Sequence, residues 1–138
     1  MDVSQVLCFA GLALFMLGLL NGLAIPRMRS QRIGLSAHLA GVQSGTFLIA
    51  VGLLWPRLSL SQTWSEALGN GLWVSLFMIW VSLVLAGVFG AGRELPIAGQ
   101  GITTTPARQR LVSVLLIAGS LGCLAAVAGL LALWHWRL

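Results

Sequence analysis

Apolar residues in this chain neither alternate nor confine themselves to one helical stripe; they run on almost unbroken in four blocks. Val3–Pro26, Ile33–Pro56, Ala67–Gly92 and Leu111–Trp136 contain no Asp, Glu, Lys or Arg, and each is at least 24 residues long. About 20 apolar residues suffice for a helix to cross the hydrocarbon core of a bilayer. Lipid offers no partner to a bare peptide group, so each block predicts a helix that satisfies its own backbone. Pro26 and Pro56 stand where the first two helices should stop. The longest polar break, roughly Arg93 to Pro106, contains PIAGQGITTTP, whose Gly, Pro and Thr predict an ordered turn or a lid. The fold class expected is an all-α integral membrane protein, a four-helix transmembrane bundle forming a single domain over 1–138. Val3–Ile25 is too long for a signal-peptide core, lacks a preceding basic residue and shows no clear small-residue cleavage site, so it reads as a retained helix.

Composition strengthens that picture. Hydrophobic residues make up 58% of the chain and charged residues 8%, with a mean hydropathy of +0.95. Soluble domains carry about 25% charged residues because their surfaces face water. The net charge of +5 comes from eight arginines and no lysine, against Asp2, Glu66 and Glu94. These arginines lie between apolar runs and form no stripe, which points to anchoring in a membrane and not to nucleic acid. Arg27, Arg29 and Arg32 fall in the first break and Arg93, Arg108 and Arg110 in the third. Arg57 and Arg137 fall on the other side. That asymmetry predicts basic loops in the cytoplasm and both termini outside, in a bacterial inner membrane. Trp55, Trp64, Trp134 and Trp136 flank the spans as interfacial anchors do. Cys8 and Cys123 lie inside apolar runs as packing residues, with no metal-site spacing.

Candidate chemistry is sparse. All three carboxylates sit at helix ends or outside the spans, which argues against a proton-coupled exporter and against a carboxylate-metal enzyme. No internal repeat supports an inverted-repeat transporter. His38 is the exception, placed about one turn into the second helix, LSAHLAGVQSGTFLIAVGLLW. At 3.6 residues per turn, Gly41, Val42 and Gly45 share its face. Two glycines beside an imidazole leave a flat surface on which a porphyrin with an axial His would find room. Gln43, Ser44 and Thr46 add hydrogen-bonding groups on neighbouring faces. Against this, Gly41 and Gly45 form a GxxxG, which more often marks close helix packing. A lone His near the interface is often simply hydrogen-bonded to the next helix. His135, between two tryptophans, reads as an interface residue. Asn21 (with Gly18 and Gly22), Asn70, Ser75, Ser82 and Ser120 read as interhelical glue, worth about 0.6 kcal/mol each. Trp73 and Trp80 share a face, either flooring an aromatic pocket or facing lipid.

The stretch AHLAGVQSGTFLIAVGLLWPRLSLS resembles the haem-ligand helix of the styrene oxide isomerase family: a His, small and polar residues over the next turns, an apolar run and a closing Pro. Length, four-helix layout and the PIAGQG loop resemble the hydroxylaminobenzene mutases, small membrane enzymes of related type. The resemblance implies an isomerase that converts hydroxylaminobenzene to 2-aminophenol by moving a hydroxyl from nitrogen to the ortho carbon, with no net redox change. It implies haem b with His38 as the iron ligand and Gly41 and Gly45 beside it, and a homotrimer holding the haem between subunits. Gln43 and Ser44 become catalytic candidates, Ser44 falling where the isomerase has an Asn that positions substrate oxygen. Ser75 is the nearest match to that family's third-helix Asp, and the chain has no Tyr at all, so the substrate pocket must differ. Without enzyme this rearrangement needs strong acid, which the side chains here do not provide; iron would serve as the Lewis acid inside a dry pocket. The alternatives are a non-catalytic haem-binding membrane subunit, or a small multidrug-type exporter. A bis-His electron carrier is disfavoured, since His135 belongs at the opposite membrane face.

Overall fold

The structure, a computed structural model, describes the backbone of residues 1–135 and the side chains of residues 1–133. It consists of four long helices, α1 (Val3–Ala24), α2 (Gln31–Leu54), α3 (Gln62–Phe89) and α4 (Pro106–His135), with single 3-10 turns at Ile25–Arg27 and Trp55–Leu58. All four are long and apolar enough to cross a membrane, and there is no strand among the described residues. This is a multi-pass membrane four-helix bundle, as the four apolar blocks require. The side chains of Trp134 and His135, and all of Trp136 and Arg137, lie outside the described residues.

Helices and charge-free blocks do not coincide. α3 begins at Gln62 and takes in Glu66, and α4 begins at Pro106 and takes in Arg108 and Arg110, which sequence had placed in a loop. Absence of charge marks only the part that sits in hydrocarbon; backbone hydrogen bonding carries each helix on toward the headgroups. Local chemistry sets the ends. Asp2 and Gln5 form a reciprocal capping box at the start of α1. Ser30 caps α2 through the Ile33 N–H. Pro106 opens α4, where its missing N–H leaves nothing unpaired. Pro26 and Pro56 sit at the second position of the two 3-10 turns, and α1 and α2 end two residues before them. A proline nitrogen has no hydrogen to return to the preceding turn.

Gly90, with φ of 71°, ends α3 in the left-handed conformation, its N–H donating to the Ala86 carbonyl. The α1–α2 turn then clamps that end: the Ser30 N–H donates to the Gly87 carbonyl at 3.0 Å and Arg29 donates to the Phe89 carbonyl at 3.2 Å. The segment after α3 folds as a turn, through Leu95 N–H to Gly92 O (3.0 Å) and Gly99 N–H to Leu95 O (2.7 Å). Its Leu95 and Ala98 pack on Ile33, Ala86, Ala91 and Val112. The predicted ordered turn is therefore present, tied to the bundle by a small apolar cluster.

α1 and α2 form an intimate hairpin, α3 lies mainly against α2 and α4, and α4 packs mainly on α3. The main core gathers Leu7, Leu14, Leu48, Leu72, Leu76 and Ala126 from all four helices. Trp55 belongs to this core: it is 6% exposed and its Nε1 donates to Ser65 Oγ at 2.8 Å. It is thus turned inward by a hydrogen bond from the expected lipid-interface position, whereas Trp64 is exposed.

Candidate functional site

The α1–α2 seam is built from glycines facing glycines. A Cβ on Gly45 would lie 2.6 Å from Phe15 N and 2.7 Å from Gly11 O; one on Gly41 would lie 2.7 Å from Gly18 Cα. Such backbone-on-backbone approach is possible only without side chains, and in lipid it supplies the dispersion contact that holds helices together. The room over Gly41 and Gly45, which sequence offered to a porphyrin, is filled here by α1. Asn21, buried at 5% exposure, crosses the same seam and donates Nδ2 to the Gly34 carbonyl at 3.0 Å. This is the interhelical role its position suggested.

His38 stands at the rim of this seam, half-buried, two turns into α2 because the helix begins at Gln31. Its Nδ1 is 2.8 Å from the Gly18 carbonyl of α1. A carbonyl oxygen only accepts, so Nδ1 carries the hydrogen and Nε2 presents a lone pair in the neutral ring. Metal-binding histidines are oriented in this way, one nitrogen donating to a carbonyl or carboxylate while the other coordinates. The ring lies across Gly22: a Cβ there would stand 2.8 Å from Nδ1 and 3.1 Å from Cε1, with nothing but His38 in its way. Gly18 and Gly22 therefore form the bed and the latch of the imidazole. Sequence inspection missed the Gly18 carbonyl because a main-chain acceptor leaves no side-chain signal.

The other candidates are not gathered around His38. Gln43 is exposed, about 140° around α2 from His38, and Ser44 is half-buried about 120° away on the opposite side. Thr46 returns its hydroxyl to the Val42 carbonyl of its own helix at 2.9 Å. Trp73 and Trp80 share a helix face but separate in space. Trp73 donates to Asn70 Oδ1 and meets Phe77 edge-on at 5.9 Å. With Phe77, Phe9, Ala10 and Ala13 it lines an apolar cavity of about 230 Å³ between α1 and α3. That volume exceeds the roughly 150 Å³ that accepts a benzene ring in an apolar core. On α1 it lies roughly 8–20 Å along the axis from the glycines that bed His38. Trp80 instead reaches Gly41, with a buried Nε1 that has no partner among the described residues. Ser75 is buried against Gly122 of α4, and Ser82 returns its hydroxyl to Ile79 O, so both serve packing. No cluster of three or more His, Cys, Asp or Glu suited to a metal ion occurs among the described residues.

A four-helix membrane protein with one oriented intramembrane histidine and no carboxylate beside it is the class that fold and site define. The family profile described as styrene oxide isomerase matches residues 3–135, nearly the whole chain. The chain belongs to the styrene oxide isomerase family. It is 45% identical over 128 residues to hydroxylaminobenzene mutase HabB of Ectopseudomonas oleovorans, covering 92% of this chain and 77% of the relative. It is 41% identical over 114 residues to hydroxylaminobenzene mutase HabA of the same organism, covering 81% and 84%. No solved structure matches. The chain is accordingly an enzyme of the isomerase class, of mutase type.

Proposed function

We propose that this protein converts hydroxylaminobenzene to 2-aminophenol by intramolecular transfer of hydroxyl from nitrogen to the ortho carbon, in a bacterial inner membrane. The observation that carries the reading is the Nδ1–H of His38 held by the Gly18 carbonyl at 2.8 Å, with Nε2 left as a ligand atom. Support for the substrate comes from the names of the two relatives. His38 would hold haem b, which when bound supplies a Lewis acid for the N–O bond. The donor set fits that group, since a neutral imidazole with its far nitrogen tied to a carbonyl is a strong, fixed ligand.

The chain's own residues then have definite tasks. Gly41 and Gly45 act on the ligand site indirectly, by letting α1 close until the Gly18 carbonyl reaches Nδ1. That hydrogen bond keeps the proton on Nδ1 and fixes the plane of the ring. The surrounding apolar helices admit a bilayer-soluble aromatic hydroxylamine and keep water from attacking the ring in place of the migrating hydroxyl. Since α1 occupies the seam, the other wall of the site would come from a neighbouring copy, in keeping with a homotrimer holding haem between subunits. Gln43 and Ser44, off the His38 face, would then meet substrate held by an adjacent subunit. The arginine-rich end would face the cytoplasm, with both termini outside.

The test is a visible absorption spectrum and a 2-aminophenol assay on detergent-purified protein, wild type beside His38→Ala. The substitution is expected to remove the Soret band and the activity together. An active, haem-free His38→Ala variant would sink the proposal.

A further inference from the structure

Six of the arginines stand at one end of the bundle, and the fold gives them different tasks. Arg29 donates to the Phe89 carbonyl, and the Arg108 guanidinium lies 4.9 Å over the Phe89 ring, so both are tied to the end of α3. Arg27 and Arg32 are exposed on the α1–α2 turn and the first turn of α2. Arg93 and Arg110 are far apart in sequence, yet both line one cavity of about 900 Å³ where the turn after α3 meets α4.

The rest of that cavity is graded. Gln109 Nε2 donates to Ser113 Oγ at 3.4 Å, and the Ser113 hydroxyl donates to Glu94 Oε1 at 2.9 Å, forming a polar shelf beside the two guanidiniums. Arg110, Ser113, Val114 and Ile117 fall on one face of α4 by their spacing of three, four and seven. Val114 and Ile117 are exposed apolar residues, at 58% and 50%. Cationic groups at the head of a helix and bare aliphatic groups one and two turns into the membrane match a particular ligand shape. A soluble anion would use only the arginines, and an acyl chain alone would leave two guanidiniums without a counter-charge. Two cations against the single carboxylate of Glu94, itself occupied by Ser113, leave room for one phosphate.

We infer that this cavity is a binding site for an anionic phospholipid, with its phosphate on Arg93 and Arg110 and one acyl chain along Val114 and Ile117. Basic pockets at the ends of membrane helices bind anionic headgroups in this manner. The inference is independent of the reaction proposed above, and its test reads binding without reference to activity.

Delipidated full-length protein in neutral detergent would be titrated with phosphatidylglycerol or phosphatidylcholine of equal chain length, and bound lipid counted by native mass spectrometry. Phosphatidylglycerol is expected to bind more tightly. R93Q/R110Q should weaken it roughly 30-fold, at about 1 kcal/mol per arginine and 1.4 kcal/mol per tenfold. R27Q/R32Q, with the same charge change at the same end, should stay close to wild type. V114S/I117S, which keeps both arginines, should also weaken binding. The inference is overturned if both arginine pairs lose equally, if phosphatidylcholine binds as well, or if V114S/I117S binds like wild type. It is also overturned if glycerol phosphate occupies the site as tightly as phosphatidylglycerol, which would mean a soluble anion site.

Discussion

The α1–α2 and α3–α4 seams of this bundle both use glycine, and they use it differently. Between α1 and α2, glycines stand on both helices and backbone meets backbone: Gly45 against Gly11 and Phe15, Gly41 against Gly18. Between α3 and α4 the close-packed glycines belong to α4, and what they meet is mostly side chain: Gly129 faces Leu68, Gly122 faces the Ser75 hydroxyl, and Gly119 faces Ile79 together with the Ser75 carbonyl. At Gly41 and Gly45 the first arrangement has little that can yield, because what stands nearest on α1 is backbone; only toward its ends, at Gly22 and Gly52, does a side chain, His38 or Cys8, come nearest. At Gly122 and Gly129 the second has side chains that can yield, although Gly119 meets the Ser75 carbonyl and Ile79 N. The histidine sits on the rigid seam, where a main-chain carbonyl can be held at hydrogen-bond distance from Nδ1. Where backbone meets backbone, a main-chain carbonyl can fix the orientation of a neighbouring imidazole.

Substitutions can break this contrast in graded steps. Gly45→Ala places a methyl against Phe15 N and Gly11 O and is expected to cost about 3 kcal/mol, the upper end for overpacking. Thermal unfolding in detergent checks it, and a stability equal to wild type would mean the two backbones are not in contact. Gly22→Ala is expected to leave stability nearly unchanged, since only the His38 ring lies in the way, yet to break the bond from Nδ1 to Gly18. Loss of such an outer partner typically weakens metal affinity 10–100-fold, so haem titration of the variant should show that loss without unfolding. Gly129→Ala should cost about 1 kcal/mol or less, because the obstacle is the flexible end of Leu68. Gly71→Ala, with nothing within 4 Å, should be neutral or stabilising by about 0.5 kcal/mol through helix propensity alone. If Gly129→Ala proved as damaging as Gly45→Ala, the distinction between the seams would collapse.

Much of the fold was legible because the bilayer simplifies the problem. A run such as Ala67–Gly92 has one stable form in lipid, and Pro26 and Pro56 mark its predecessors' ends to within two residues. The helix starts were less legible: Gln62 to Glu66 and Pro106 to Arg110 are helical although polar, since headgroup and water satisfy their side chains while the backbone bonds continue. His38 was legible as a rare ionisable group in a span. Its bearing on Gly41 and Gly45 was not, because GxxxG serves a helix and a flat ligand equally well. Gln43 and Ser44 looked close to His38 in the chain, but a helix turns adjacent positions onto different sides.

The sequence by itself determined four membrane-crossing helices, an ordered turn or lid after the third, and an ionisable residue, His38, inside the second, because hydropathy, length and backbone satisfaction decide those matters locally. Only the tertiary structure decided that α1 and not open space lies over Gly41 and Gly45, that Gly18 orders the His38 tautomer, that Trp55 turns inward, and that Arg93 and Arg110 share a cavity. Each of these depends on the azimuth and depth at which one helix meets another. That is settled by backbone contact between separate segments, for which no single stretch of chain carries a local signature.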